Sequence, residues 1–436
     1  MFLLGTQRVN EEAHLEIGGC DCVELAQTHG TPLYVVDEAE LRKRCREYRS
    51  SFEQRYPDVH VAFAGKALLT MALCRLVEQE GLGLDVASGG ELHTALQAGF
   101  PPARTHLHGN YKADDEIRLA LTSGVSRIIV DSDPELDQIN RLAAEMGKVA
   151  DIAIRVSPGI KPKTHTNIQT GQVDSKFGLG IETGQAMPAI KRASTLASLN
   201  LVGVHCHIGS QLFGLDSYAR AIEMMVSFLK AVRDETGLEL AELNLGGGLG
   251  IKYVEADEPP LVAEFAQVVT DALKEECAKV GLGLPRLVLE PGRSIVGEAG
   301  TTLYTAGVIK EVPQVRTYVS VDGGLSDNPR PALYEAEYGV ICANRAGEPA
   351  TEVVTVVGKH CETDTLFRNV LLPPLQPGDI LAVQSTGAYN YAMASNYNRF
   401  PRPAMVLVNE GCAEVIVRRE TYEDLLRCDL IPARLR

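Results

Sequence analysis

No stretch of the 436-residue chain comes near a membrane-spanning length, which takes roughly 20 consecutive apolar residues. The leading MFLLGTQRVNEE has too short an apolar part for a signal-peptide core and lacks a basic lead. A cytosolic location away from membranes is expected. The ten cysteines form no CxxC pair, and only Cys20 and Cys22 lie close together, so neither a zinc ribbon nor a disulfide framework is indicated and reduced thiols fit best. There is no dense run of Lys or Arg. With 42 basic against 57 acidic residues and a formal net charge of -15, the chain lacks the electrostatic footprint of a nucleic-acid binder. It also lacks internal repeats and low-complexity tracts.

What is present is an enzyme-like composition, 45% hydrophobic and 23% charged. The length exceeds the ~250 to 300 residues at which a single core stops growing, so two domains are expected. Between residues 59 and 290 eight short apolar runs alternate with amphipathic stretches: VHVAFA, LGLDV, THLH, RIIV, DIAIRV, LVGVHC, ELNL and RLVLE. Segments such as LLTMALCRLVEQE and LDSYARAIEMMVSFLKAVRDE space their apolar residues helically. Eight strand-helix units in this length predict a (β/α)8 barrel of the TIM type, with a doubly wound open sheet as the alternative. After residue 295 the helical period gives way to strand-like runs, TTLYTAGVIKEV, TYVSV, EVVTVVG, DILAV, AMVLV and AEVIV, which predict a second, mostly β domain. The expected division is a barrel over 37–294 and a β domain over 295–436, to which 1–36 contributes, the stretch from LEIGG to TPLYVV (15–36) adding a strand.

Polar and glycine-rich motifs follow the apolar runs, where a barrel gathers them at one mouth. Lys66, after the first run, could condense with a carbonyl cofactor, although a lone lysine there is more often simply solvated. GGGLG (246–250) and EPGRS (290–294) follow the seventh and eighth runs, the recurrent phosphate-binding position of this fold, or else form tight turns. Ile251 stands where a dinucleotide fingerprint needs its third glycine. In HCHIGSQ, His205 and His207 could ligate a metal. Alternatively, one imidazole could lie against an aromatic cofactor with Ser210 on its phosphate. With no acidic or histidine partners grouped nearby in sequence, no metal is expected, and a satisfied core histidine is the expected fate of His205. Glu290 could hold a proton on a pyridine nitrogen or pair with an arginine. DGGLSDNPRPALY, GKHCETD and GAYNYAMASNYN are polar, turn-rich segments of the second domain, either plain turns or functional loops.

Taken in order, FAGKALLT, GLDVASGGEL, HGNYK, THTNIQTG with SKFG, HCHIGSQ, NLGGGLG, EPGRSIV, DGG, RPALY, CETD and GAYNYAMASNYN resemble the diaminopimelate decarboxylases. These lie within the barrel-fold ornithine, arginine and diaminopimelate decarboxylases, and the resemblance spans nearly the whole chain. It implies pyridoxal 5'-phosphate (PLP) as cofactor, attached at Lys66, with Glu290 at the pyridine nitrogen and His207 against the ring. Ser210, Gly247, Gly248, Gly292 and Arg293 would surround the phosphate. Arg293, Arg330 and Tyr334 would hold the substrate's distal carboxylate, Glu362 would read its distal amine, and Tyr389 would contact cofactor and substrate. Cys361 would donate the proton after carbon dioxide leaves, and Cys361 and Glu362 would cross to a neighbouring subunit, so a homodimer with shared active sites is implied.

The implied reaction is decarboxylation of meso-2,6-diaminopimelate to L-lysine. The rivals are an ornithine or arginine decarboxylase, a metal-dependent barrel hydrolase and an inactive PLP-binding homologue. Arg330 favours a substrate with a second carboxylate, which a guanidinium grips with two charge-assisted bonds. Two departures stand out: Leu68 replaces an Asn common after the lysine, and CETD is one residue shorter than the usual CESGD, with Asp364 retained.

Overall fold

The computed structural model describes residues 2–160 and 175–436, so THTNIQTG lies outside the described residues. Two compact units emerge. One comprises Arg42–Ile251 and Glu258–Ile295, the other Met1–Leu41, Lys252–Asp257 and Val296–Arg436.

The first unit is the barrel that the eight apolar runs predict. Its strands, in chain order, are Val59–Ala64, Gly83–Val86, Thr105–Leu107, Arg127–Val130, Ala150–Ser157, Leu199–His205, Glu242–Asn244 and Arg286–Leu289. Each pairs in parallel with its sequence neighbour, and the eighth pairs with the first through Leu287 and Val59, which closes the sheet and excludes the open alternative. The helices between strands follow from local chemistry. Thr70 accepts from the Leu73 amide at the start of Met71–Gln79, and Ser88 caps Gly89–Gln97 in the same way. In Asp216–Thr236 the buried Tyr218, Ala221, Ile222, Met225, Val226, Leu229 and Val232 form one helical stripe.

The second unit is built on the long strand Gly300–Val312, which pairs antiparallel with Leu33–Asp37, Arg316–Val321 and Ile380–Val383. Leu33–Asp37 also pairs in parallel with Ala404–Asn409, so TPLYVV does contribute a strand to this sheet, whereas Leu15–Ile17 belongs to a separate three-stranded sheet. Leu15, Ile17, Leu33, Val35, Leu303, Ala382 and Val406 share one apolar core. Three features depart from the sequence reading. Val340–Cys342 and Thr365–Leu372 are additional strands, and the RPALY segment is a short helix, Arg330–Tyr334. Among the described residues no helix is long and apolar enough to cross a membrane.

Candidate active site

The barrel interior converges on one carboxylate. Glu290 directly follows the eighth strand, and its amide donates to Gly246 O at 2.8 Å. Its Oε1 accepts from Asn244 Nδ2 at 2.6 Å and lies 2.9 Å from His108 Nε2, while Oε2 lies 3.2 Å from His205 Nε2. Burial alone would raise the pKa of this carboxyl. The neighbouring His108 and His205 outweigh it and hold the pKa well below the ordinary carboxylate range, so Glu290 is anionic at neutral pH. His205 is driven down to about 3 by burial, against the pull of Glu290. The neutral ring therefore donates Nε2–H to Glu290, which leaves Nδ1 without a partner among the described residues. Asp85, raised by burial and by the charge of Glu290 despite His108, is the member of this cluster that favours its proton.

His106, His108, Asp85 and Asn244 are the functional candidates that the sequence reading missed. The signal was there in THLH: His106 in the third strand and His108 directly after it stand two apart and so face the same way, and a barrel turns that face inward. His106, His108 and Glu290 bring three potential ligand atoms within 4.8 Å of one another, so the expectation that no acidic or histidine partners group here is corrected. The sequence hid the grouping because the residues come from different strands. The HxH pair itself splits. The sixth strand ends at His205, which points to Glu290, while His207 lies beyond the strand and its Nδ1 accepts from the Gly247 amide at 3.4 Å. Burial, the Lys66 charge and Arg155 keep His207 well below the ordinary imidazole range, hence neutral.

The glycine loop after the seventh strand leaves no room for side chains. A Cβ on Gly247 would strike Glu290 O, one on Gly248 would strike Gly209 O, and one on Gly292 would press on Ala64 and Ala67 at 3.0 and 3.1 Å. Gly248 also has φ +116, a left-handed conformation suited to glycine. Beside this loop Arg293 donates from Nε and Nη2 to Ser210 Oγ at 3.1 and 2.9 Å, joining two of the sequence-predicted residues. Lys66 sits in the single turn Gly65–Ala67 after the first strand, exposed, and forms no ion pair with the described residues. Its charge is felt by His207, Asp85 and Glu91, which places it over the same mouth.

The remaining sequence-predicted residues belong to the second unit. Arg330 is buried, donates from Nη1 to Tyr338 OH at 2.6 Å and lies over the Tyr253 ring at 4.8 Å. No carboxylate among the described residues forms an ion pair with it. Tyr334 ends the same short helix, half-buried, and Tyr389 is half-buried with φ +63. Cys361 and Glu362 are exposed on the loop before Thr365–Leu372. The shortened CETD is accommodated by Asp364, whose carboxylate accepts from the Leu325 amide at 2.7 Å, the His360 amide at 3.0 Å and His360 Nδ1 at 2.6 Å.

A closed parallel barrel with an exposed lysine after its first strand, a bare glycine loop after its seventh and a buried anionic carboxylate after its eighth defines the pyridoxal-dependent decarboxylase class. The family profile described as "Pyridoxal-dependent decarboxylase, pyridoxal binding domain" matches residues 38–297. Diaminopimelate decarboxylase of Bacillus subtilis (strain 168) is 48% identical over 431 residues, 99% of this chain and 98% of the relative. That of Halalkalibacterium halodurans is 47% identical with the same coverage of both chains. The crystal structure of diaminopimelate decarboxylase from M. jannaschii in co-complex with L-lysine has a TM-score of 0.93 at 38% identity, covering 100% of each chain. The chain belongs to the diaminopimelate decarboxylase family, and PLP is its cofactor. The residues fit that group: an anion for a pyridinium, an amine for an aldehyde, and close-packed glycines whose backbone carries no side chain to keep a phosphate away.

Proposed function

We propose that the chain decarboxylates meso-2,6-diaminopimelate to L-lysine and carbon dioxide, the last step of lysine biosynthesis. The observation that carries the substrate is Arg330, a buried guanidinium with no carboxylate partner among the described residues. A buried charge without a counter-ion is costly, and a ligand's second carboxylate would supply one. Ornithine and arginine offer a cation at that end, which Arg330 would repel.

In this reading Lys66 attaches the cofactor and Glu290, kept anionic by its histidines, holds a proton on the pyridine nitrogen. Bound PLP supplies an electron sink for the pair left when the bond to the departing carboxylate breaks. Neutral His207 lies against the ring without placing a second charge there. Ser210, Gly247, Gly248, Gly292 and Arg293 hold the phosphate, and Arg293, Arg330 and Tyr334 are the residues assigned to the distal carboxylate. Glu362 pairs with the distal amine, Tyr389 touches cofactor and substrate, and Cys361 returns a proton to the α-carbon. The exposure of Cys361 and Glu362 suits service to a neighbouring subunit's site, and so a homodimer with shared active sites. Ten free cysteines, with no disulfide among them, suit a reducing cytosol.

The test is carbon dioxide release by purified, PLP-supplemented protein from meso-diaminopimelate, with ornithine, arginine and lysine in parallel. Release from diaminopimelate alone is expected. Release from ornithine or arginine instead would keep the cofactor and overturn the substrate. In Lys66→Ala, the visible absorption of the attached cofactor should vanish.

A further inference from the structure

The SNYN end of GAYNYAMASNYN clasps the Cys361–Glu362 pair residue for residue. Tyr397 OH donates to Glu362 Oε1 at 2.7 Å, and Asn398 Oδ1 accepts from the Cys361 amide at 2.9 Å. Tyr397 is itself held. Its ring stacks on His360, with centroids 5.8 Å apart and planes at 13°, and Phe400 meets the same histidine edge-on at 4.9 Å and 85°. His360 is anchored beneath the loop by Asp364 at 2.6 Å, and Asp364 also fastens the Leu325 amide after the DGG motif. Gly324 of that motif has no space for a side chain, since its Cβ would land on Asp364 Oδ2 and His360 Nδ1. Three motifs distant in sequence thus form one chain of contacts from DGG through Asp364, His360 and Tyr397 to Glu362.

We infer that Tyr397 is a specificity-positioning residue: stacked on His360, its hydroxyl aims the Glu362 carboxylate at the distal amine of the substrate. This rests on the reading of Glu362 given above. An exposed carboxylate on a loop samples several rotamers, and one donor at 2.7 Å selects among them. The second oxygen remains available to an ammonium group. No proton or electron moves in this role, and Tyr397 acts only through Glu362.

A double-mutant cycle in the PLP-loaded enzyme tests it. Tyr397→Phe is expected to lower kcat/KM for meso-diaminopimelate roughly three- to tenfold, chiefly through KM, in keeping with the loss of one hydrogen bond. The inhibition constant of 2-aminopimelate, which keeps both carboxylates but lacks the distal amine, should change by less than about twofold. In a Glu362→Gln background, Tyr397→Phe should add almost nothing. Additive losses, or equal weakening of substrate and 2-aminopimelate, would overturn the inference alone. A wild-type enzyme that releases no carbon dioxide from meso-diaminopimelate overturns the reading of the substrate, and this inference with it.

Discussion

Glu290 shows how much of a site one side chain can be made to depend on. Its oxygens meet Asn244, His108 and His205, and only Asn244 is tied to the glycine loop as well, since its Oδ1 accepts from the Gly246 amide at 2.9 Å. Asn244→Ala should therefore disturb the carboxylate and the loop together. A charge-assisted hydrogen bond contributes about 1.5–3 kcal/mol, so a fall in decarboxylation of roughly ten- to a hundredfold is expected, with a shifted absorption band of the bound cofactor. An unchanged spectrum would show that Glu290 keeps its place without Asn244. The histidines carry a second consequence. Burial depresses His60 to about 4 and His205 to about 3 in the folded barrel, against an ordinary value near 6.5. As pH falls below about 6.5 the unfolded chain takes up these protons first, so stability is full above that value and is lost progressively toward 4 and then 3. Thermal melts between about pH 7 and pH 5 should show a falling Tm, with a shallower slope in His60→Asn; equal slopes would remove His60 from the account. Little of this cluster's geometry was legible in the chain beyond the alternation of THLH. Lys66 and Glu290 stood out because each follows an apolar run. His106 and His108 stand far from His205 in the chain, and nothing local says that the third and sixth strands bring them to the same carboxylate.

At the scale of elements, the sequence pattern was strong where periodicity was uninterrupted. All eight barrel strands fall on the apolar runs because a parallel strand buried on both faces is apolar throughout. Thr365–Leu372 escaped notice for a physical reason. Arg368 and Asn369 interrupt it, the register with Glu352–Val357 shifts there, and Asn369 has φ +53, so the alternation that marks a half-buried strand is broken by a bulge. The HGNYK loop was legible as a motif but not as a structure. Lys112 is fully buried and donates to Gly109 O at 2.8 Å, Ile129 O at 2.6 Å and Glu135 Oε1 at 2.8 Å, pinning the turn after the third strand to the helix Asp133–Glu145. Removing one member strands the other charge in the interior, so Lys112→Met should destabilise the barrel by about 3–5 kcal/mol, read from chemical denaturation. A loss below about 1 kcal/mol would mean that water reaches Glu135. The glycine loop allows a paired comparison. Gly247→Ala drives a Cβ into the Glu290 carbonyl and should weaken PLP binding as it displaces the loop, whereas Gly90→Ala, inside Gly89–Gln97 with its nearest neighbour Ser88 Oγ at 3.7 Å, should be neutral or slightly stabilising.

For the whole molecule, the decisive question is whether one chain completes its own site. Lys66, Glu290 and the glycine loop belong to the barrel unit, and Arg330, Cys361 and Glu362 to the other. The proposed homodimer assigns Cys361 to the partner's reaction, which a mixing experiment can decide without a structure of the assembly. Lys66→Ala and Cys361→Ala subunits would each be inactive alone. If sites are shared, random reassociation makes half of the dimers hybrids, and each hybrid contains one site with both defects and one with neither. About a quarter of the wild-type activity should then return after the two inactive proteins are unfolded and refolded together. If instead each chain supplies its own cysteine, every site in the hybrid carries one defect and no activity returns. Tyr397 adds a refinement, because it lies on the same unit as Glu362 and must travel with it. In mixtures of Tyr397→Phe with Lys66→Ala chains, the surviving hybrid site takes its Glu362 from the Lys66→Ala chain, with that chain's intact Tyr397, and should show the wild-type KM. Inheritance of the raised KM by that site would place Glu362 and Tyr397 in the chain that carries the working lysine, and the shared-site dimer would fail.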